Sequence, residues 1–420
     1  MLESSIARPR EHLISGRVVF VIMDTQLGIL ATARVHAREL LANLAVIAVV
    51  PLLARALWPK FSEAFTQFGF GDLMSMLAGR GGWTDIGWEV ASALGLIRGD
   101  FSSYDSLEVL HPLVGMDLEF VDLSSNSHPP MSIPLWILPG FIDYGWWLSF
   151  WVIAAVVMIA LSLRLLRVPA YIAYPLAILI SLSVPGKWGL VSTYPVAALL
   201  IALAWRFRNS PVTSGVSLGL FGSTRGIGLL LLMYPFARRQ WRTVIIAIAV
   251  VVGLLVVAVA FEPGIIGQFL TVTRASIEVN MQRADLLTPG SILARYGFSE
   301  YFAYLGALVI AGIALWRKQE LFWVLNWLVL AVSPIAWFHT IVMGIPLLVI
   351  IWRSGKLGQV LVLIVAAAVA AQPVNPFTTL VFSVNWTVFV VAGAIAILFC
   401  PIPQRDPLIL LSRNRAAVSD

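Results

Sequence analysis

Apolar residues run along this chain in long unalternating blocks, separated by polar or basic stretches. The first block covers residues 40–58. A polar segment at 59–130 follows. Apolar blocks then recur at 131–142, 146–163, 171–184, 188–205, 215–236 and 243–261. A second polar segment, 262–300, precedes blocks at 301–316, 321–338, 340–352, 357–371 and 385–400. Blocks of this length without a period of two predict helices, not the alternating strands of a membrane barrel. Residues 1–39 and 401–420 read as polar tails flanking one 40–400 domain. The first tail has charge but no clean apolar core, so no cleavable signal peptide is expected.

Composition turns these helices into membrane helices. Of the 420 residues, 59% are hydrophobic and only 12% charged, with a mean hydropathy of +0.89. A soluble domain carries roughly twice that share of charge, so there is too little polar surface here to coat a globule. In lipid only helices and closed barrels satisfy the backbone. The expected fold is therefore all-α: a polytopic transmembrane helical bundle of about 11–12 crossings, with juxtamembrane helices in its long first loop.

The net charge of +6 fixes orientation more than it suggests a partner. Arginines gather in the short connections, as cytoplasmic loops do, and no nucleic-acid surface is expected. The N-terminal tail holds Arg8, Arg10, Arg17, Arg34 and Arg38, whereas 59–130 sets Lys60, Arg80 and Arg98 against ten acids. The tail is then inside and the acidic loop outside. The connections at Arg164/Arg167, Arg206/Arg208, Arg238/Arg239/Arg242, Arg317/Lys318 and Arg353/Lys356 all fall inside on two conditions. Block 131–142 must lie at the outer interface, and block 215–236 must be a hairpin bent near Arg225. Letting both blocks cross once also closes the topology, but puts Arg164, Arg167, Arg206 and Arg208 outside. Charge bias favours the first arrangement. Either way 262–300 and His339 share the outer face with the acidic loop.

Candidate chemistry lies on that face. Asp85 precedes an apolar-periodic stretch and reads as the start of an amphipathic helix lying on the membrane, either as a cap or as a general base. His128 stands before Pro129 and Pro130, which fix the chain extended and suit a helix start. Arg225 sits in a Gly-rich apolar block, where an arginine at mid-bilayer costs about 2.5–3.5 kcal/mol; its guanidinium matches a phosphate. His339 closes the stretch Ser-Pro-Ile-Ala-Trp-Phe-His. Arg283 and Arg295, in the second polar segment, are further anion candidates. Cys400 is the only cysteine, and no metal-protease, Walker, nucleophile-elbow or carboxylate-cluster motif occurs. Neither a metal nor a cofactor is expected.

In order, the outer-loop Asp, Gly-Asp-Phe-Ser-Ser-Tyr, His-Pro-Pro, the basic residue in a Gly-rich helix pair and the late Ser-Pro…Trp…His resemble the GT-C membrane glycosyltransferases. The chain is most similar to glycosyltransferase family 87, polyprenyl-phosphate-mannose-dependent α-mannosyltransferases of the bacterial envelope. The resemblance covers about residues 40–400. It implies Asp85 as the catalytic base, with Arg225, His339, Arg283 and Arg295 toward the donor phosphate. Trp88, Tyr104, His128 and Trp337 would lie along the substrates. Relatives often have Phe and Tyr where this chain has Ile86 and Trp88, and a second His where it has Thr340.

The implied partners are a polyprenyl-phosphate sugar, a glycolipid or glycan acceptor and membrane lipid, in a bacterial plasma membrane with the site facing outward. Three rival readings stay open: the same fold using another sugar such as arabinofuranose, a transporter or flippase using Arg225 as an anion site, and a membrane scaffold without chemistry. The transporter reading usually brings internal repeats, and none is evident.

Overall fold

The computed structural model describes residues 41–50, 52–53, 85–99, 101–105, 109–110, 113, 128–183, 190–282, 288–333, 338–370 and 381–402, with backbone only at 85, 278–282, 295, 338–339, 370 and 381–385. All regular elements among them are helical. The chain divides into two units, Met1–Val50 and Pro51–Asp420. In the first, helix α1 (Leu41–Val50) leaves Leu41, Leu44, Val46 and Val49 exposed.

The second unit runs α2 (Asp85–Arg98), the 3-10 helix η1 (Pro130–Trp136), α3 (Ile137–Gly140), α4 (Tyr144–Leu165), α5 (Ala170–Leu182), α6 (Tyr194–Arg206) and α7 (Pro211–Thr224). It continues with η2 (Gly226–Leu232), α8 (Met233–Ala237), α9 (Trp241–Phe261), α10 (Ile265–Gln282), α11 (Pro289–Arg295), α12 (Tyr301–Trp316) and α13 (Leu321–Ala331). It ends with η3 (Phe338–Gly344), α14 (Ile345–Arg353), α15 (Lys356–Ala370) and α16 (Val381–Phe399). Local chemistry sets these starts: Asp143 accepts the Trp146 amide at 3.1 Å before α4, and prolines occupy the first turns of η1, α6, α7, α11 and α14.

Among the described residues two helices, Tyr144–Leu165 and Trp241–Phe261, are long and apolar enough to cross a membrane, fewer than the apolar blocks suggest. The blocks are broken where the backbone demands it. Block 215–236 is interrupted at Arg225, which adopts φ −140° and ψ 98°. Block 340–352 opens as a 3-10 turn and becomes α-helix only at Ile345. Block 188–205 is regular only from Tyr194, where Pro195 fits the first turn.

Helices α7 and α9 pack closely. A Cβ on Gly215 would lie 2.8 Å from the Thr243 carbonyl oxygen, and one on Gly219 would lie 2.7 Å from that of Ala247. Glycines four apart let the two backbones approach. Helix α13 is the centre of the bundle, with every residue from Phe322 to Ala331 buried. Trp327 donates to the Val390 carbonyl of α16 at 3.0 Å, and Trp323 packs on Trp205 of α6 with ring centroids 5.1 Å apart. Several buried hydroxyls bond within their own helices, as Ser162 to Met158 and Ser223 to Gly219 illustrate. The outward faces are apolar: Ile245, Ile248, Val252 and Val256 on α9, Leu305 and Leu308 on α12, and Leu363 and Ile364 on α15 are all exposed.

Both uncertain blocks turn back. After Arg225 the chain folds onto α7, with Leu229 against Gly222 and Phe221 against Gly228. Arg208 before this segment and Arg239 after it line one cavity. Block 215–236 is thus bent back on itself at Arg225. Block 131–142 forms only η1 and one turn of α3. Its Trp136 packs edge-on against Trp147 and Trp151 at the start of α4, 6.3 and 5.1 Å away.

One expectation needs correction. Helix α2 begins at Asp85 as the pattern suggested, but it is not an amphipathic helix on a surface. It is buried on all sides from Ile86 to Leu96. Other parts of the chain cover it: Gly140 of α3 sits against Leu94, and Leu110 against Gly95.

Candidate functional site

The buried segment 190–194, just before and at the start of α6, gathers the candidate residues. The Leu190 carbonyl accepts from the Trp151 indole at 2.8 Å, anchoring the segment to α4. The Val191 carbonyl accepts the backbone amide of Ile86 at 2.9 Å, which fixes the first turn of α2 and so the backbone of Asp85. Thr193 Oγ1 accepts from Arg225 Nη2 at 2.8 Å. The Tyr194 phenol oxygen accepts from Thr340 Oγ1 at 2.9 Å, drawing in η3 beside His339. Ile86 through its backbone, and Arg225 and Thr340 through their side chains, are thus tied to Val191, Thr193 and Tyr194, three positions within one short stretch. The side chains of Asp85 and His339 lie outside the described residues.

Arg225 owes its place to the break it occupies. Its extended backbone ends α7, and its guanidinium, half-buried, lies over the Tyr194 ring with Cζ 4.2 Å from the centroid. Such a contact is worth about 0.5–2 kcal/mol and, with Thr193, holds the fork in one orientation. Its Nε is buried and has no hydrogen-bond partner. The next residue, Gly226, faces Pro129, whose Cγ would be 3.7 Å from a Cβ there. The His-Pro-Pro turn therefore adjoins Arg225.

That turn is pinned from several sides. Glu89 lies one helical turn after Asp85, on the same face of α2, and is wholly buried. Its carboxylate pairs with His128 Nδ1 and accepts from Ser132 Oγ at 3.3 Å. Tyr104 donates its phenol to the His128 carbonyl at 2.7 Å. Burial, reinforced by Glu89 and Glu262, holds that phenol well above its ordinary pKa of 10, so Tyr104 acts as a neutral donor. The same loop reaches the far end of α9: Ser102 Oγ stands 3.0 Å from Glu262 and 2.6 Å from Gln268, and the Ser103 amide donates to Glu262 at 3.2 Å. Gly99, at φ 74°, ends α2 and starts the loop, a conformation glycine adopts without steric cost.

The remaining candidates are not gathered there. Trp88 is buried in a small apolar cluster with Ala91 and Leu110. Arg295 ends α11, which packs against α10 and α12; its side chain lies outside the described residues, as do Arg283 and Trp337 entirely. Conversely, Glu89, Thr193, Tyr194, Thr340 and Glu262 are central here and were not singled out by sequence. Among the described residues no three His, Cys, Asp or Glu side chains are gathered as a metal ion requires.

Residues 128–320 match glycosyltransferase family 87. The matched interval contains the His-Pro-Pro turn, segment 190–194 and Arg225, and stops short of η3. No curated protein and no solved structure matches the chain.

Proposed function

We propose that this chain, whose residues 128–320 match glycosyltransferase family 87, is a glycosyltransferase that moves a sugar from a polyprenyl-phosphate donor to an envelope glycolipid or glycan. The sugar is mannose, and transfer occurs on the extracytoplasmic face of a bacterial plasma membrane. The carrying observation is the convergence on segment 190–194, which ties together the start of α2, the Arg225 side chain and the Thr340 side chain of η3.

The chemistry follows from those positions. The acceptor hydroxyl attacks the anomeric carbon as the bond from that carbon to the phosphate oxygen breaks. Asp85 takes the hydroxyl proton. Arg225, with an unpartnered Nε, and His339 neutralise the charge that grows on the departing polyprenyl phosphate. Arg283 and Arg295 add positive charge on the same face. A single displacement inverts the anomeric centre, so a β-linked donor gives an α-linked product. His128 and Tyr104 shape the floor beneath the sugar, and Trp337 completes the substrate surface. The two long apolar helices and the outward-facing Ile, Leu and Val side chains support immersion in lipid. The hairpin at Arg225 supports the arrangement in which the arginine-rich turns lie inside.

The test uses the purified chain in nanodiscs with labelled polyprenyl-phosphate mannose and a crude envelope-lipid acceptor mixture. Label should move to a new glycolipid and polyprenyl phosphate should be released. Transfer from an arabinofuranose donor alone would replace the sugar while keeping the reaction. Silence with both donors would contradict the proposal.

A further inference from the structure

The ends of α7 and α9 opposite Arg225 enclose a cavity of about 420 Å3 that sugar transfer does not use. It is lined by Arg208, Asn209 and Pro211, ahead of and at the start of α7, and by residues 239–243, at the start of α9. The 14 residues of α7 place it about 21 Å from Arg225. It is therefore a separate site and not an extension of the first.

Its walls carry three guanidinium groups, from Arg208, Arg239 and Arg242. Among the described residues none of the three forms an ion pair. Their neighbour Arg238 shows the contrast: it pairs with buried Glu320 at 3.1 Å. Arg208 is also preset, with Cζ 4.3 Å from the Trp205 ring centroid and Nη1 donating to the Trp205 carbonyl at 3.0 Å. Like charges gathered in one concavity repel unless an anion joins them.

Backbone polarity adds to this. Neither Ser210 before α7 nor Gln240 before α9 caps its helix with a side chain. The free first-turn amides and the positive ends of two helices thus lie at the same cavity. Trp241, half exposed beside it, is an interfacial residue type. Planar guanidinium forks match phosphate oxygens better than a single carboxylate.

We infer that this cavity binds a phosphate group, carried by an anionic lipid headgroup or by a small soluble phosphate. The site lies at the end of the bundle opposite the transfer site and stands whether or not the donor assignment above holds.

The experiment follows the thermal unfolding midpoint of the full chain in nanodiscs. One arm titrates inorganic phosphate into phosphatidylcholine discs. The other replaces part of the phosphatidylcholine with phosphatidic acid. Wild type is compared with Arg239→Gln/Arg242→Gln, both exposed, and with a charge-matched control, Arg317→Gln/Lys318→Gln. A rise of at least about 2 °C in wild type and control, lost in the Arg239/Arg242 variant, is expected. A rise with phosphatidic acid alone identifies a lipid headgroup; a rise with inorganic phosphate as well identifies the phosphate itself. No rise in either arm, or the same loss in the control, overturns the inference.

Discussion

The backbone amide of Ile86 donates to the carbonyl of Val191 across 2.9 Å. This bond joins the helix that opens with Asp85 to the segment whose Thr193 and Tyr194 hold Arg225. The helix proposed to carry the base and the arginine proposed to bind phosphate are positioned by one short stretch of chain, so disturbance of that stretch should affect chemistry before it affects folding.

Thr193→Val tests this directly. It keeps the shape of a buried residue and deletes the acceptor for Arg225. A hydrogen bond to a charged group is worth about 1.5–3 kcal/mol, or about 10- to 100-fold in kcat/KM. The loss should appear in transfer rate, with little change in unfolding midpoint. Arg225→Lys keeps the charge but not the fork, and should fall between wild type and Arg225→Ala.

Glu89 should matter for stability as well as activity. Removing one partner of a buried polar contact costs about 1–3 kcal/mol, because the other is left unsatisfied. Glu89→Leu and His128→Leu should each lower the thermal midpoint strongly. The double variant should lose less than the sum of the two. Strict additivity in this cycle would show that the pair is not coupled.

The α7–α9 contact predicts opposite outcomes for two glycines. Gly219→Ala sets a methyl 2.7 Å from the Ala247 carbonyl oxygen and should cost about 1–3 kcal/mol. Gly253→Ala, on α9 with nothing within 4 Å of its added Cβ, should be neutral or gain up to about 1 kcal/mol. Thermal melts of both variants in the same detergent decide it.

Glu320, in the turn before α13, gives a pH prediction. Burial raises its pKa from the usual 4.5, outweighing the lowering by Arg238 and Arg208. The folded state therefore holds this proton more tightly than the unfolded state. The contribution to stability is full below 4.5 and is lost as pH rises through the folded value. Glu320→Gln should flatten that decline and leave the neutral-pH midpoint equal to or above that of wild type, despite losing the ion pair with Arg238. A lower midpoint at pH 7 would reverse the balance of burial and pairing.

Parts of this arrangement were legible in the sequence for physical reasons. An arginine in a Gly-rich apolar block marks a place where the chain must break, and the structure breaks there. Charge bias favoured folding block 215–236 back on itself, because Arg208 and Arg239 had to share one end. The start of α2 followed from a carboxylate ahead of an apolar run. Its burial did not, because the chain covering it lies dozens of residues away. Glu89 was hidden among ten acids of a loop read as lying outside the membrane, and only the fold reveals that it is wholly buried. Thr193, Tyr194 and Thr340 are ordinary polar residues in apolar blocks; their importance comes from long-range contacts that no local pattern encodes. Thr340 stands where relatives often carry a second histidine, and here it binds Tyr194.

The most direct measurement compares Asp85→Asn with wild type in two assays on the same nanodisc preparation: affinity for polyprenyl phosphate and transfer of labelled mannose. Asparagine starts a helix as well as aspartate does, so α2 should persist. Unchanged affinity with transfer reduced at least about 100-fold is the predicted result for loss of a general base. Transfer at the wild-type rate would contradict Asp85 as the base, and with it the reading of segment 190–194 as the frame of a catalytic site.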